Sequence, residues 1–140
     1  MTKTVRFDDV AEGDLLPELA KPPVSRLQLA LFAGASGDHN PIHVDEEAAK
    51  GSGLPGTIVH GMLSMAILGQ LLTQWVPQKA IKTFSTRFAA MNYPGDAITC
   101  KGKVAKKSVV DGEKLVELEI EAWNSRGEKT LAGAATVVLP

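Results

Sequence analysis

His60-Gly61-Met62-Leu63-Ser64-Met65-Ala66-Ile67-Leu68-Gly69-Gln70-Leu71-Leu72-Thr73-Gln74-Trp75 is the stretch that decides the fold. Its apolar positions, among them Met62, Met65, Ala66, Leu68, Gly69 and Leu72, fall around more than one face of a helix. A surface helix would confine them to one stripe, so this helix has to be enclosed by other structure. It is not a membrane span: the longest apolar run, residues 58–72, is interrupted by His60, Ser64 and Gln70 and is shorter than the roughly 20 residues that cross a bilayer.

What encloses it is written downstream. After Pro77 the pattern changes to extended runs at about 81–92, 97–109, 113–124 and 129–139. They are separated by Tyr93-Pro94-Gly95-Asp96, Val110-Asp111-Gly112-Glu113 and Ser125-Arg126-Gly127-Glu128. Turn residues between apolar runs mark reversals of the chain, so the spacing predicts a four-stranded antiparallel meander. Val116, Leu118, Ile120 and Ala122 alternate with Leu115, Glu117, Glu119 and Glu121, and the first set should face the core. The expected class is α+β, an antiparallel sheet wrapped around one central buried helix.

Upstream of that helix the signals are local. The first twenty or so residues read as an extended segment with a turn at Glu12-Gly13-Asp14 and a stop at Pro22-Pro23, an edge strand in the making. Ser25 offers an N-cap with Gln28 three positions on, and Leu27, Ala30, Leu31 and Gly34 recur at helical spacing, which predicts a helix over 25–36. Gly37 ends it, and Pro41 forbids renewal because it lacks an amide donor and drives Asn40 extended. Residues 37–44 therefore form a constrained loop. A short helix at 45–50 and the flexible Gly51-Ser52-Gly53-Leu54-Pro55-Gly56 complete the run. No repeat or linker divides the chain, so residues 1–140 are expected to form a single domain.

Composition narrows the function. The 140 residues carry 15 Lys+Arg against 16 Asp+Glu, a formal charge of −1, with 44% hydrophobic residues. A chain of that size hides roughly 70% of its unfolded surface on folding, enough for a real core, and disorder is excluded as the dominant state. A nucleic-acid partner is not expected, since such domains show a clustered basic excess. The one basic group, Lys101, Lys103, Lys106 and Lys107, falls in an alternating segment and reads as the solvated face of a strand, with contact to a phosphorylated ligand as the other option. Cys100 is the sole cysteine, which suits a reducing compartment. Met1-Thr2-Lys3-Thr4-Val5-Arg6 runs into acidic residues without the apolar core of a secretory signal. The expected location is the cytoplasm.

The densest polar cluster is Ser36-Gly37-Asp38-His39-Asn40-Pro41-Ile42-His43-Val44-Asp45. Loops that concentrate titratable groups are functional candidates, and a folded loop can aim Asp38 and His43 into one cavity to divide acid and base duties. Taken singly, Asp38 also suits an Asx-turn and His43 a satisfied backbone partner. Thr57-Ile58-Val59-His60-Gly61-Met62 opens the apolar helix, where unpaired amides and the positive end of the macrodipole favour developing negative charge. Gly61 leaves that approach open, or serves tight packing; His60 caps the helix or is simply buried. A zinc shell could be drawn from Asp38, His39, His43, Asp45 and His60, but their spacing matches no defined zinc signature, so no metal is expected. Cys100, mid-strand with only lysines nearby, reads as apolar filler rather than nucleophile.

Ala33-Gly34-Ala35-Ser36-Gly37-Asp38-His39-Asn40-Pro41-Ile42-His43-Val44-Asp45, followed by Ile58-Val59-His60-Gly61-Met62-Leu63, closely resembles the signature of the MaoC-like (R)-specific enoyl-thioester hydratases, the hydratase 2 family of hot-dog-fold proteins. Arg87-Phe88 and Tyr93-Pro94-Gly95-Asp96 extend the resemblance over nearly the whole chain. It implies a hot-dog fold, usually dimeric, and reversible hydration of trans-2-enoyl thioesters, on coenzyme A or acyl carrier protein, to (R)-3-hydroxyacyl thioesters without a cofactor. It assigns catalysis to Asp38 and His43 and an oxyanion-hole amide to Gly61. Asn40 suits either orienting the loop or binding substrate, or equally a structural Asx-turn before proline. Some members carry a hydroxyl two turns into the central helix, where this chain has Gly69. A hot-dog thioesterase and an acyl-thioester-binding subunit of a mixed dimer are the alternatives.

Overall fold

The apolar segment forms α3, Gly61–Thr73, and turns Leu63, Ser64, Ile67, Leu68, Leu71 and Leu72 inward. These positions come from more than one face of the helix, which is why no single amphipathic stripe marks it. The computed structural model describes residues 3–140; Met1 and Thr2, the first residues of the segment read for a secretory signal, lie outside them. Around α3 curls one five-stranded sheet made of β1 (Leu19–Ala20), β2 (Ile81–Phe88), β3 (Ile98–Val110), β4 (Glu113–Asn124) and β5 (Lys129–Val138).

The core forms where the helix meets the sheet. Leu68, Leu71 and Leu72 are buried against Ile98, Cys100 and Val104 of β3, Leu131 and Val137 of β5, and the expected set on β4, Val116, Leu118, Ile120 and Ala122. Each large apolar side chain so buried contributes roughly 1.5–3 kcal/mol. Helix in sheet is the α+β hot-dog arrangement expected from the sequence. Among the described residues no helix is long and apolar enough to cross a membrane.

The order of strands corrects the expected meander. The sheet runs β1-β3-β4-β5-β2 with antiparallel neighbours throughout, so β3, β4 and β5 are successive hairpins but β2 pairs with β5 on the far side. The free edge of β3 is already occupied: Leu19 and Ala20 pair with Cys100 and Thr99, Leu15 bridges Lys103, and the Lys21 and Val24 amides donate to the Ile98 and Asp96 carbonyls at 2.9 Å. The Tyr93-Pro94-Gly95-Asp96 turn therefore docks on this N-terminal segment, with the Gly95 amide donating to the Val24 carbonyl at 2.7 Å. It ends a crossover, not a hairpin. The expected 81–92 strand correspondingly stops at Phe88.

Upstream elements follow their caps. α1 spans Arg26–Ser36; the Ser25 hydroxyl accepts from the Gln28 amide, and Gly37 closes the helix at φ 78°, where a side chain would be strained. Asp45 caps α2, Glu46–Gly51, by accepting from the Glu47 and Ala48 amides. The lysines of β3 divide: Lys101 and Lys103 lie on the exposed face within 3.8 and 3.6 Å of Glu18 and Glu119, while Lys107 donates to the Val10 carbonyl at 2.6 Å and sits over the Phe7 ring. They serve the sheet surface and the N-terminal segment.

Candidate active site

Between α1 and α2 the constrained loop is shaped residue by residue. The Ser36 hydroxyl accepts from the Asp38 amide, Asp38 Oδ1 from the Asn40 amide at 3.3 Å, and Asn40 Oδ1 from the Ile42 amide at 3.2 Å. Pro41, with its preset φ, then starts a 3-10 turn, Pro41–His43, that swings His43 inward. Asn40 itself is exposed and spends its carboxamide oxygen on that turn. Asp38 stays half exposed, and His43 is buried.

The loop brings Asp38 and His43 together. Asp38 Oδ2 lies 3.5 Å from His43 Nε2, and His43 Nδ1 lies 2.8 Å from the Ile58 carbonyl oxygen. A carbonyl only accepts, so Nδ1–H donates, and it is Nε2 that faces the carboxylate, as a lone pair whenever the ring holds a single proton. Two acceptors at this separation can share one water molecule that donates to both.

His60, at the N-cap of α3, joins this pair. Its Nε2–H donates to the backbone carbonyl of Asp38 at 3.2 Å, its ring stacks on His43, and Phe32 meets it edge-on with centroids 4.9 Å apart. Burial lowers the affinity of His60 for a proton, and the charge His43 would carry lowers it further, so the ring stays neutral. Asp38, His43 and His60 each bring a potential ligand atom within 4.8 Å of the others. One ion cannot serve all three. A metal lies in the plane of each ligating imidazole, and the planes of these stacked rings, 3.8 Å apart and inclined by only 21°, do not converge on a common point.

The first turn of α3 completes the site. Its N-cap provides no side-chain acceptor, and the Gly61 amide has no partner among the described residues, so the helix N-terminus opens toward the same space. Space is tight here: a Cβ at Gly61 would stand 3.0 Å from Cε1 of the exposed Phe88 ring, which would have to give way. Beside it lies a cavity of about 180 Å³ lined by His43, Val59, Gly61, Ser64, Phe88, Met91, Asn92 and Thr130 among others. A larger opening of about 440 Å³ between α3 and β2 is lined by Gly69, Phe84 and neighbours without one titratable side chain. The chemistry therefore belongs at the His43 end.

The wall opposite α3 is the crossover from β2 to β3. The Val59 amide donates to the Asn92 carbonyl at 2.9 Å, and the turn beyond is clamped by Arg126, whose Nε and Nη2 reach Asp96 Oδ1 and Oδ2 at 3.0 and 3.1 Å. Burial works to raise the Asp96 pKa, but the Arg126 guanidinium and the Tyr93 amide overcome it and hold the carboxyl below its ordinary range. The sequence alone leaves His60 between capping and burial, and Asn92 does not stand out in it. The signal for the first was the His-Gly pair before an apolar helix; for the second, a lone amide after Ala89-Ala90-Met91.

The family described as MaoC like domain matches residues 13–125. An (R)-specific enoyl-CoA hydratase of Rhodospirillum rubrum is 32% identical over 136 residues, covering 96% of this chain and 91% of that protein. The fatty acid synthase subunit beta of Saccharomyces cerevisiae is 32% identical over 112 residues, covering 78% of this chain, which spans only 5% of that subunit's length. A solved structure described as a MaoC-like dehydratase superposes with a TM-score of 0.88 at 34% identity, covering 98% of this chain and 43% of that one. Shared sequence over most of its length, on a sheet wrapped around one buried helix, makes this chain a member of the MaoC-like domain family.

Proposed function

We propose that the chain catalyses the reversible addition of water to a trans-2-enoyl thioester, giving an (R)-3-hydroxyacyl thioester. The observation that carries this is the pairing of Asp38 with a tautomer-fixed His43 beside the open N-terminus of α3. A water held by both groups adds its oxygen to C3. The pair takes up the proton that the water loses, and a proton is returned to C2, so the net change is one molecule of water across the double bond. Positioned acid–base groups contribute about 10²–10⁴-fold to such a step.

As C3 accepts the oxygen, charge moves onto the thioester oxygen. The Gly61 amide, free of any helix partner, stabilises that charge more than the ground-state carbonyl, a gain worth roughly 2.7–4 kcal/mol for one donor. Asn40 supports the loop that carries Asp38. The substrate is carried on coenzyme A or acyl carrier protein, residues 1–140 act as one domain in the cytoplasm, and the enzyme works as a homodimer or higher homo-oligomer, with a mixed dimer as the variant arrangement. The hydratase relative supports the reaction class by similarity.

The test is loss of the conjugated thioester absorbance of crotonyl-CoA and longer homologues on mixing with the purified chain. Hydration without free thiol release, abolished in Asp38→Asn at unchanged melting temperature, is the expected result. Thiol release in step with absorbance loss would instead make the chain a thioesterase.

A further inference from the structure

The wall of the small cavity is largely apolar, and one polar pair interrupts it. Asn92 Nδ2 donates to Ser64 Oγ at 3.1 Å, and the two residues are only 3% and 4% exposed. Thr130 is the other buried hydroxyl on that wall, but its Oγ1 is committed to the Ala122 carbonyl at 3.3 Å. Asn92 Oδ1 has no partner among the described residues. Turning the amide over does not help, because Nδ2 would then be the orphan while Oδ1 accepts from Ser64. Buried polar groups are almost always paired, and one left unpaired weakens the fold, so its retention at a cavity wall asks for a ligand that completes it.

The position of the pair says which part of a ligand meets it. Asp38 is half exposed, whereas His43, Ser64 and Asn92 are all buried, so the cavity deepens from the acid–base pair toward Ser64 and Asn92. A thioester held at Gly61 and His43, with its bulky carrier in solvent, has its acyl end at this inner wall. At about 180 Å³ the cavity is smaller than the roughly 300–1,000 Å³ of common ligand pockets, which suits a short acyl group. A hydroxyl can donate to Oδ1 or accept from Nδ2, and so satisfies Asn92 in either orientation.

We propose that Ser64 and Asn92 form a specificity subsite that recognises a hydroxyl on the acyl chain beyond C3, making short hydroxylated enoyl thioesters the preferred substrates. This rests on the hydratase function above, because it places the acyl end by the thioester. The hydroxyl concerned is not the one formed in the reaction, which arises at Asp38 and His43.

The experiment compares substrates that differ by a hydroxyl in place of a methyl group: 4-hydroxy-trans-2-butenoyl-CoA against trans-2-pentenoyl-CoA, and 5-hydroxy-trans-2-pentenoyl-CoA against trans-2-hexenoyl-CoA. Wild type should favour the hydroxylated member of at least one pair by roughly 10-fold or more in kcat/KM. Asn92→Leu should bring that ratio to about one, and Ser64→Ala, which frees the amide to turn, should reduce it; the second variant decides the matter if the first does not fold. Calorimetric binding of the saturated pair, 5-hydroxypentanoyl-CoA and hexanoyl-CoA, reads the same preference without turnover. Binding with the expected preference but no hydration would overturn the hydratase function and leave the subsite standing. Hydration with a wild-type ratio near one for both pairs, a preference that survives Asn92→Leu, or no binding of either ligand would overturn the subsite.

Discussion

The imidazole rings of His43 and His60 lie face to face, with centroids 3.8 Å apart and planes 21° from parallel. Through this stack, and through the bond from His60 Nε2–H to the Asp38 carbonyl, one fully buried side chain restrains both members of the acid–base pair. The hydrogen bond of His60 goes to the Asp38 backbone carbonyl and its ring packs on that of His43, so it acts as a positioning residue for the proposed reaction.

Replacing His60 by phenylalanine keeps a flat ring against His43 and Phe32 but removes the donor to Asp38. The loop is then held by one bond fewer, and small displacements of a reacting group cost up to about 10² in rate. His60→Phe should lower kcat between about 10- and 100-fold while KM moves little. Steady-state kinetics on crotonyl-CoA check this; an equal loss in KM alone would assign His60 to substrate binding.

The same residue sets a pH dependence of stability. In the fold the proton affinity of His60 lies below the ordinary value of 6.5, because burial and His43 disfavour the charged ring. Well above pH 6.5 the ring is neutral in both folded and unfolded chains. As pH falls through that value the unfolded chain takes up the proton first, so stability declines until the folded ring's own lower pKa is passed. Melting temperatures from about pH 7 to pH 5 should therefore fall more steeply for wild type than for His60→Phe.

Gly61→Ala tests the open helix end. The added methyl group would stand 3.0 Å from Phe88 Cε1, so the exposed ring or the first turn of α3 has to shift. The amide itself remains, and a change in its aim is the expected defect: kcat drops by about 10- to 100-fold with the melting temperature nearly unchanged. Restoring space with Phe88→Leu in the same chain should recover part of the loss.

Much of this was legible in the sequence because it is local. Ser25 and Gly37 bracket α1 by capping chemistry, the alternation from Leu115 to Ala122 names the buried face of β4, and the all-round apolar pattern after His60 states that α3 is enclosed. The neighbour of β2 was not legible. Tyr93-Pro94-Gly95-Asp96 encodes a bend, but what that bend pairs with depends on Leu19, Lys21 and Val24 occupying the edge of β3 more than seventy residues earlier. The stack of His43 on His60 and the pairing of Asn92 with Ser64 have the same origin. They are set by how the loop and the crossover meet the start of α3, which no local spacing records.

Cys100 gives a probe of the core. It is fully buried in β3 opposite Ala122, and burial pushes its thiol up to about 12. Thiolate, the reactive form, is therefore scarce as well as shielded at neutral pH. A soluble disulfide reagent near pH 8 should leave the native chain unlabelled for as long as the sheet stays closed and label it stoichiometrically in denaturant. Fast labelling of native protein would show that β3 opens locally.

The last prediction concerns the wall that carries Asn92. Arg126 grips Asp96 through Nε and Nη2, donates to the Met91 carbonyl at 3.1 Å, and lies over the Tyr93 ring, while a further contact ties it to Glu128. Asp96 is buried and Arg126 half exposed, so Arg126→Ala leaves a buried carboxylate with the Tyr93 amide as its remaining donor. The expected result is a loss of stability, because hydrogen bonds to a buried charged group are removed while screening at the exposed partner limits the effect. Because the pair holds the Asp96 pKa below its ordinary 3.8, its contribution is complete above that value and is lost as pH falls through the lowered folded pKa. Denaturant titrations should accordingly show wild type more stable than Arg126→Ala at neutral pH, with the two converging as pH falls below the ordinary carboxylate range. A gap that persists in acid would mean that Arg126 acts through its stacking on Tyr93 and not through its charge on Asp96.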